Sequence, residues 1–372
     1  MKILKYFKCF GYLILALLLL FGLYLGVTWL VTPRVKSMEL KPFSGNYWHN
    51  PYQGVNLNNV YHADFHSHSD VWGIFVEGRN NRPQDLYTTY KRVGFDIMPI
   101  TDYQSINRFR STEPDYIPTY EHGYNFKKTH LLVLGAKRVF WYDVMLPQTT
   151  GMKQYFINKL KSNCELLCLA HPKSFKVGYS DQDLLTLTGY DLFEVLGRDD
   201  SRQEVAWDLV LSHGNLVYLL ANDDMHDMID WTRISRRFTR VFSDNTSARN
   251  VLNALKNGCH YGVVMPISDE ETLDQKAKRI KELPTVTRFE IVNDTLFVQL
   301  DEPMQAVTIT GDLGIELSRY SDSNEVVFRL DGLPDNITYV RVKTFLPNHV
   351  IYYFNPITRT STSPLMSPQV QL

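Results

Sequence analysis

The chain has 372 residues, a net charge of −1 at pH 7 and 44% hydrophobic residues. This length exceeds that of one average domain and predicts two, with enough apolar residues to bury a core. Because acidic and basic residues nearly balance, the composition argues against a surface that binds duplex nucleic acid and against a long charged tail.

The N-terminal region contains an apolar segment long enough to cross a membrane. FGYLILALLLLFGLYLGVTWLV runs 22 residues without a charge, and a helix rising about 1.5 Å per residue would span a hydrocarbon core of about 30 Å. A cleavable signal peptide would have a shorter apolar stretch and a small-residue cleavage site, so an uncleaved anchor is favoured over that alternative. Lys2, Lys5 and Lys8 precede the segment, which predicts a cytoplasmic N-terminus and an extracytoplasmic location for everything after Pro33.

Residues 38 to about 283 alternate between helical and strand patterns. RPQDLYTTYKRVGF has Pro83 suited to a first helical turn and Gly94 as a stop, and the predicted strand FDIMPI follows it. A helix over residues 153–161 precedes the strand ELLCLA, and the runs DLFEVL and LVYLLA also follow helical stretches. The last helix, SARNVLNALKNG, has Ser247 placed as an N-cap. This alternation predicts parallel strands that are buried on both faces.

The pattern changes near residue 284 to short strands in which polar and apolar residues alternate. These strands are RFEIV, TLFVQL, AVTIT, EVVFRL, TYVRVK and VIYYF, with turn pairs such as Asn293-Asp294 between them. They predict a small antiparallel β-sandwich. We therefore expect a cytoplasmic stub and transmembrane anchor over residues 1–37, a β/α domain over 38–283, and a β-sandwich with a flexible tail over 284–372.

The stretch YHADFHSHSD, residues 61–70, contains three histidines and two aspartates. In an extended strand, residues two apart point to the same face, so Asp64, His66 and His68 would project to one side. An H-x-H pair can offer a metal two imidazoles, but on its own it is more often a polar loop. The remaining ligands would have to come from elsewhere in the chain.

Polar residues recur at the ends of the predicted strands, where functional side chains of β/α proteins collect. They are Thr101-Asp102-Tyr103 after IMPI, His171-Pro172 after ELLCLA, Asp224 and His226 after LVYLLA, and Glu121 and His130 before LLVLG. Each one alone is commonly a helix cap or a hydrogen-bonded histidine. Together, imidazoles and carboxylates suit Zn, Mn or Fe better than Ca or Mg, so the set predicts a transition-metal centre.

The order of these motifs resembles the polymerase and histidinol phosphatase (PHP) family of metal-dependent phosphoesterases, over residues 60 to about 265. Six motifs of the family have a similar stretch here, in the same order. The H-x-H is similar to His66 and His68, the T-D-H to Thr101-Asp102-Tyr103, and the bridging Glu to Glu121. The His before a strand is similar to His130, the A-H-P to Ala170-His171-Pro172, and the late D-x-H to Asp224-Met225-His226. The ending NVLNALKNGCHYGVV is similar to the family's closing helix and strand. A C-terminal β-domain with the run FNPIT resembles the branch that includes carbamate-hydrolysing metallohydrolases. The resemblance implies a distorted seven-stranded (β/α) barrel with two or three metals at its carboxyl mouth.

The resemblance also implies which residues hold each metal. One metal would be held by His66, His68, Glu121 and Asp224, and a second by Glu121, His130 and His171. His226 would belong to a third site, but Tyr103 stands where the family has a ligand histidine, and Asp70 in HSDVWG is only an uncertain match to the family's acidic residue. We therefore expect two divalent transition metals, Zn, Mn or Fe, with the third site weak or absent.

The expected chemistry is hydrolysis of a phosphoester in a phosphorylated small molecule or nucleotide. Two cations bridged by Glu121, about 3.5 to 4 Å apart, would activate a shared hydroxide for in-line attack. Asp102 is predicted to orient a histidine ligand or to accept a proton. The predicted substrate-binding residues are Tyr103, Lys137, Arg138 and Arg198.

Two other functions stay open at this stage. The same hydroxide could attack the carbonyl of a carbamate, amide or ester. Alternatively, the protein could be a membrane-tethered binding protein whose β-domain recognises a glycan or another protein and whose barrel has lost its activity, and Tyr103 in place of a ligand histidine favours this hypothesis.

Overall fold

The computed structural model describes residues 2–73, 77–174, 178–197, 200–267 and 271–362. In these ranges the helices are α1 (Lys2–Val31), α2 (Pro83–Arg92), α3 (Thr150–Lys161), α4 (Asp181–Thr186), α5 (Asp200–Ser212), α6 (Ala248–Lys256) and α7 (Leu273–Lys281). The strands are β1 (Tyr47–His49), β2 (Val60–Ala63), β3 (Thr119–His122), β4 (Leu131–Leu134), β5 (Leu166–Leu169), β6 (Leu192–Leu196), β7 (Tyr218–Ala221), β8 (Arg237–Phe242), β9 (His260–Val264), β10 (Val286–Val292), β11 (Thr295–Thr310), β12 (Glu316–Arg329), β13 (Tyr339–Phe345), β14 (Ile351–Phe354) and β15 (Ile357–Thr360).

Helix α1 contains the apolar segment recognised in the sequence. Tyr6–Val31 is 26 residues long with a mean hydropathy of 2.5, so it is long and apolar enough to cross a membrane. Its described side chains are exposed up to Tyr24, and partial burial begins at Leu25. A signal sequence can have the same length and composition, so the uncleaved anchor and its orientation stay predictions.

The helices after α1 begin and end near the residues that the sequence signals predict. Helix α2 has Pro83 in its first turn and buries Leu86 and Tyr90, and Gly94 follows it with a φ of 101°. Ser247 takes the N-cap position of α6, but its side chain makes no capping hydrogen bond. The helical pattern therefore locates α6 even though this cap contributes no side-chain bond.

A five-stranded sheet has the order β3-β4-β5-β6-β7, and every residue in these strands is buried. Strands β5, β6 and β7 are parallel, as predicted. In contrast, β4 runs antiparallel to both β3 and β5, so the predicted parallel arrangement holds for only part of the sheet. The run FDIMPI forms only one bridge, between Ile97 and Ala63, and Pro99 within it has no N–H to donate to a strand ladder.

A ten-stranded sheet joins the C-terminal strands to the preceding region. Strand β14 pairs antiparallel with β9, which continues through β8 to β2. The predicted separate two-sheet sandwich over residues 284–372 is therefore not confirmed, because its strands extend a sheet that begins earlier in the chain. The predicted Asn293-Asp294 turn does connect β10 and β11, with a positive φ at both residues. The domain boundary at residue 284 stays a prediction.

Isolated backbone bridges bring the two sheets together. They join Ala63 to Ile97, Ser67 to Met225 and Tyr103 to Glu121. Across the described ranges these bridges do not amount to a continuous seven-stranded barrel, so that part of the prediction is not confirmed. They do place the segments after β2 and β7 beside each other and Tyr103 beside β3, and this edge carries the candidate site.

A buried ion pair fixes α5 to β13. Arg341 is 2% exposed, and its Nε and Nη2 donate to the two carboxylate oxygens of Asp208 at 2.7 and 2.6 Å. Glu204 accepts from both Arg341 and Lys343 at 2.9 Å. Since Asp208 is only 4% exposed, removal of the arginine would leave a buried carboxylate without its cation.

We expect Arg341→Leu to lower the free energy of unfolding by about 3–5 kcal/mol, because an uncompensated buried charge is costly. Chemical denaturation of the full chain in detergent measures this loss. The matched control is Arg329→Ala, which removes an ion pair to Asp331 whose arginine side chain is 75% exposed and should cost much less, because solvent screens an exposed pair. An equal loss of unfolding free energy in the two variants would show that the buried Arg341–Asp208 pair contributes no more to stability than the exposed pair.

The pH dependence of stability should include a contribution from His260 in β9. This histidine is fully buried with its Nε2 2.7 Å from the Leu219 carbonyl oxygen, and burial lowers its pKa to about 4 from an ordinary value of 6.5. The unfolded chain binds more protons than the folded chain between these values, so the free energy of unfolding falls as pH drops from 6.5 toward 4. In His260→Gln this fall should be smaller by roughly 2 kcal/mol at about pH 4.5.

Urea denaturation of the metal-free full chain at pH 7 and at pH 4.5 measures this difference. The exposed His349 provides the control variant His349→Gln, which should keep the wild-type pH dependence. The same pH dependence in all three proteins would show that His260 does not contribute.

Candidate metal centre

Seven residues predicted as metal ligands lie together at one edge of the fold. Each is at most 8% exposed. They are His66, His68, Glu121, His130, His171, Asp224 and His226. They come from the ends of β2, β3, β5 and β7 and from the residue before β4.

The H-x-H segment lies just beyond β2 and is not part of a regular strand, since β2 ends at Ala63. Its backbone is held against the D-x-H segment, because His68 N donates to the Met225 carbonyl at 2.9 Å and Met225 N donates to the His66 carbonyl at 3.2 Å. The buried Asp64 carboxylate strengthens this junction by accepting from His66 N at 2.9 Å and from Asp223 N at 2.7 Å. These bonds align the two ligand segments side by side.

Unusual backbone conformations accompany the ligands. His171 and Asp224 have φ values of 29° and 49°, and left-handed non-glycine residues of this kind concentrate at functional sites. At Gly123, where φ is 130°, a Cβ atom would lie 2.8 Å from the Thr129 carbonyl oxygen and 2.9 Å from the His130 ring. Glycine at this position therefore permits the turn between β3 and β4 to bring His130 against Glu121.

Glu121 lies at the centre of the cluster. Its Oε1 is 2.7 Å from His130 Nδ1, 3.2 Å from His171 Nε2 and 3.5 Å from His66 Nε2. Its Oε2 is 3.3 Å from His68 Nε2. The two oxygens of one carboxylate thus face histidines from different segments, which is the geometry expected of a ligand shared between two cations.

The donor atoms form four overlapping groups in which all atoms lie within 4.8 Å of one another. These groups are His66, His68 and Glu121; Glu121, His130 and His171; His66, His171 and Asp224; and His68, Asp224 and His226. The first two share Glu121, as the proposed two-metal arrangement requires. Asp224 lies beside both histidines of the first group, with its Oδ1 3.2 Å from His66 Nε2 and 3.4 Å from His68 Nε2.

The chemistry of the donor atoms fits bound cations. His66 Nε2, His68 Nε2 and Glu121 Oε2 are buried and make no hydrogen bond of normal geometry, although each lies within 3.5 Å of an oppositely charged or polar partner. Buried polar atoms are costly when they lack partners. Imidazole nitrogens and carboxylate oxygens converging in this way are ligands that divalent transition metals accept.

Burial and neighbouring charges shift the pKa values of residues in the cluster. Burial would raise the pKa of Glu121, but the adjacent His130 and His66 hold that pKa well below its usual range. Asp224 behaves similarly, since His66 and His226 outweigh burial and lower its pKa. Burial and the nearby His226 lower the pKa of His68 to about 4. At neutral pH Glu121, Asp224 and His68 are therefore in the ionisation states that bind metals. At His66 and His171 burial is outweighed by the carboxylates of Glu194 and Glu121, which raise the pKa of both imidazoles, so these two release protons when a metal binds.

Glu194 is a functional residue that the sequence reasoning missed. This carboxylate in β6 is fully buried, with its Oε1 2.8 Å from His66 Nδ1 and its Oε2 accepting from His171 N at 2.7 Å. A carboxylate bonded to one ring nitrogen orients the other nitrogen of the imidazole toward a metal. The available signal was an acidic residue in the middle of the apolar run DLFEVL, where a buried charge needs a specific partner.

Asp102 supports the loop that follows His68. Its carboxylate accepts from Ser69 N at 2.7 Å, from Ser69 Oγ at 2.9 Å and from Asn107 Nδ2 at 2.7 Å. Its backbone carbonyl also accepts from Glu121 N at 3.2 Å. These contacts position two ligand-bearing segments, and the catalytic role predicted for Asp102 stays a prediction.

Tyr103 occupies the corner next to the group formed by His68, Asp224 and His226. Its hydroxyl lies 2.9 Å from His226 Nε2, and its ring stacks on His68 with centroids 4.3 Å apart. Tyr103 therefore contacts the corner where we expected the third metal site to be weak or absent.

The predicted substrate-binding cations do not join this cluster in the described structure. Lys137 and Arg138 follow Leu134, at the end of β4 opposite to His130, and their backbone groups bond to Asn163. The reason is that β4 runs antiparallel to β5, so its carboxyl end lies at the other edge of the sheet. Arg198 lies outside the described residues, and binding of substrate by Tyr103 stays a prediction.

No protein-family model matches this chain, and no curated protein matches it. Among solved structures, the chain is similar to a two-domain protein from Bacteroides vulgatus ATCC 8482 described as containing a predicted PHP-like metal-dependent phosphoesterase. The two chains are 13% identical, the alignment covers 86% of this chain and 99% of the other, and the TM-score is 0.39. At this level of similarity the function has to be inferred from the site itself.

We expect Glu194→Gln to weaken metal binding about 10- to 100-fold, because the amide loses the charge that orients His66 and the acceptor that holds His171. Competition with a chromophoric chelator on the full chain in detergent measures the affinity. The matched control is Asp183→Asn, a buried carboxylate whose partners are Lys153, Thr150 and Ser180. If both variants lost affinity equally, the effect would reflect general destabilisation and not support of the ligands.

Proposed function

We propose that this protein is a metal-dependent hydrolase that cleaves phosphoesters at a centre of two divalent transition metals. The observation that carries this proposal is the position of Glu121, whose two carboxylate oxygens face histidines of two donor groups. A structural ion pair would need one such partner, whereas a shared carboxylate within a buried histidine cluster suits a dinuclear centre.

The chain supplies two ligand sets that meet at Glu121. His66, His68 and Asp224 would complete one set, and His130 and His171 would complete the other. When bound, such a pair of cations supplies Lewis-acid charge for phosphate oxygens and makes water a competent nucleophile near neutral pH. Zn, Mn and Fe all suit these ligands.

The remaining residues of the site act by positioning. Glu194 fixes the ring of His66 through Nδ1 and leaves Nε2 directed into the cluster. Asp64 and Asp102 hold the backbone on either side of the H-x-H segment. The Tyr103 hydroxyl lies 2.9 Å from Nε2 of His226 and so fixes the position of that ring, while direct binding of the substrate by Tyr103 stays a prediction.

The expected activity is hydrolysis of bis(p-nitrophenyl) phosphate by the full chain in detergent after loading with Mn²⁺ or Zn²⁺. Chelation should abolish this activity, and metal addition should restore it. Glu121→Gln should lower kcat/KM by at least about 100-fold, because it removes a charge shared by both ligand sets. Arg329→Ala, at an exposed ion pair remote in sequence from the cluster, should retain the wild-type rate.

Parallel assays with p-nitrophenyl acetate separate the possible reactions. Metal-dependent turnover of the acetate without turnover of the phosphate would replace the phosphoesterase with a carbonyl hydrolase. Stoichiometric metal binding with no turnover of either compound would support a binding protein that has lost its activity.

A further inference from the structure

The C-terminal end of α1 contacts the segment that follows β4. Thr32 Oγ1 lies 2.6 Å from the Tyr142 hydroxyl, which also donates to the Thr28 carbonyl at 3.3 Å. Trp29 Nε1 donates to the Pro147 carbonyl at 3.0 Å. The last turns of the apolar helix are therefore docked on the folded region and are not separated from it by a long linker.

The same segment packs against β3 and also reaches the loop that carries Tyr103. The Tyr142 carbonyl lies 3.1 Å from Nε2 of His122, the neighbour of Glu121 in β3. The Trp141 ring meets the Trp72 ring with centroids 6.1 Å apart, and Trp72 Nε1 donates to the Tyr103 carbonyl. A short series of contacts thus joins α1 to the corner of the site where Tyr103 stacks on His68.

Exposed aromatic side chains surround this connection. Trp72, Tyr124, Phe126 and Trp141, which we call the aromatic rim, are 39%, 37%, 53% and 59% exposed. They lie along the segment 141–145, because the Tyr124 hydroxyl donates to the Asp143 carbonyl, Phe126 N donates to the Met145 carbonyl and the Trp72 ring meets Trp141. Large exposed apolar patches on proteins commonly mark contact surfaces.

The position of α1 indicates what covers the aromatic rim. The end of α1 lies against the segment that carries Trp141, since Trp29 contacts Pro147 and Thr32, directly after Val31, contacts Tyr142. The apolar segment of 26 residues is about 39 Å long, which exceeds a hydrocarbon core of about 30 Å. The last turns of α1 therefore reach the membrane interface, the depth at which Trp and Tyr side chains are favoured.

We propose that the aromatic rim inserts into the interface of the bilayer crossed by α1, and that the substrate of the metal centre is a membrane phospholipid. This inference rests on the proposed function and names its substrate class. The acyl chains would stay among the rim side chains while the phosphate reaches the centre past Trp72 and Tyr103. In the reaction a water oxygen bonds to phosphorus, the phosphorus–oxygen bond to the leaving alcohol breaks, and that alcohol leaves with one of the water protons.

The substrate class is tested with the full chain reconstituted in phosphatidylcholine vesicles that also carry phosphatidic acid, phosphatidylglycerol or phosphatidylethanolamine. We expect metal-dependent hydrolysis of at least one of these lipids, measured as formation of both products, the alcohol and the phosphate compound. Trp141→Ala combined with Phe126→Ala should lower the ratio of lipid turnover to bis(p-nitrophenyl) phosphate turnover at least about tenfold, because the rim loses its interfacial anchors. Leu313→Ala, which removes an exposed apolar side chain of the C-terminal region, should leave that ratio unchanged.

Insertion of the rim is tested separately by quenching of tryptophan fluorescence with brominated phosphatidylcholine. Wild-type protein should be quenched more strongly than Trp141→Phe, which keeps an apolar ring at this position but removes the reporter. Equal quenching would overturn the placement of the rim in the membrane.

The possible failures are distinguishable. Turnover of bis(p-nitrophenyl) phosphate without turnover of any vesicle lipid would overturn the lipid inference and leave the proposed phosphoesterase intact. Absence of metal-dependent turnover of both would overturn the proposed function and the lipid inference together.

Discussion

The buried carboxylate of Glu121 is the constraint on which the arrangement of the site depends. A fully buried anion needs opposite charge or strong hydrogen-bond donors nearby, and here four histidines from three regions of the chain surround it within 3.5 Å. The segment after β2, the turn between β3 and β4 and the end of β5 must all converge for this to occur. The glycine after His122 and the left-handed backbone of His171 are local consequences of that convergence.

A second set of buried carboxylates holds the ligand segments without facing the centre of the cluster. Glu194 bonds to a ring nitrogen of His66 and to the backbone of His171. Asp64 joins the H-x-H segment to Asp223, and Asp223 in turn accepts from the backbone of Ser235 and Arg237. Backbone N–H groups at the ends of strands need acceptors. These carboxylates accept hydrogen bonds from N–H groups of the loops and thereby fix the positions of the ligands.

The mixed direction of the five-stranded sheet gives the site its orientation relative to α1. Because β4 is antiparallel to its neighbours, the chain leaves β4 at the edge opposite to the ligands and returns past β3 as the segment containing Trp141 and Tyr142. That return places aromatic side chains beside the end of α1 and beside Tyr103. The contact between the apolar helix and the segment after β4 thus follows from the direction of a single strand.

The sequence by itself determined the local features of this protein. Length and hydropathy located α1, period-3.6 patterns with Pro83 and Gly94 located α2, and the types of residue at strand ends identified the seven candidate ligands. These signals are local, since they depend on composition, spacing and backbone preference within one segment.

Only the tertiary structure decided strand direction, strand partners and the contacts of buried charges. An apolar run such as LLVL reads the same in a parallel or an antiparallel strand, so the positions of Lys137 and Arg138 could not be predicted from it. Alternation in VIYYF shows which residues share a face but does not specify pairing with β9, so the predicted separate sandwich was not confirmed. Glu194 was visible as an acid within an apolar run, but its partners His66 and His171 lie far away in the sequence and meet it only when the sheet forms.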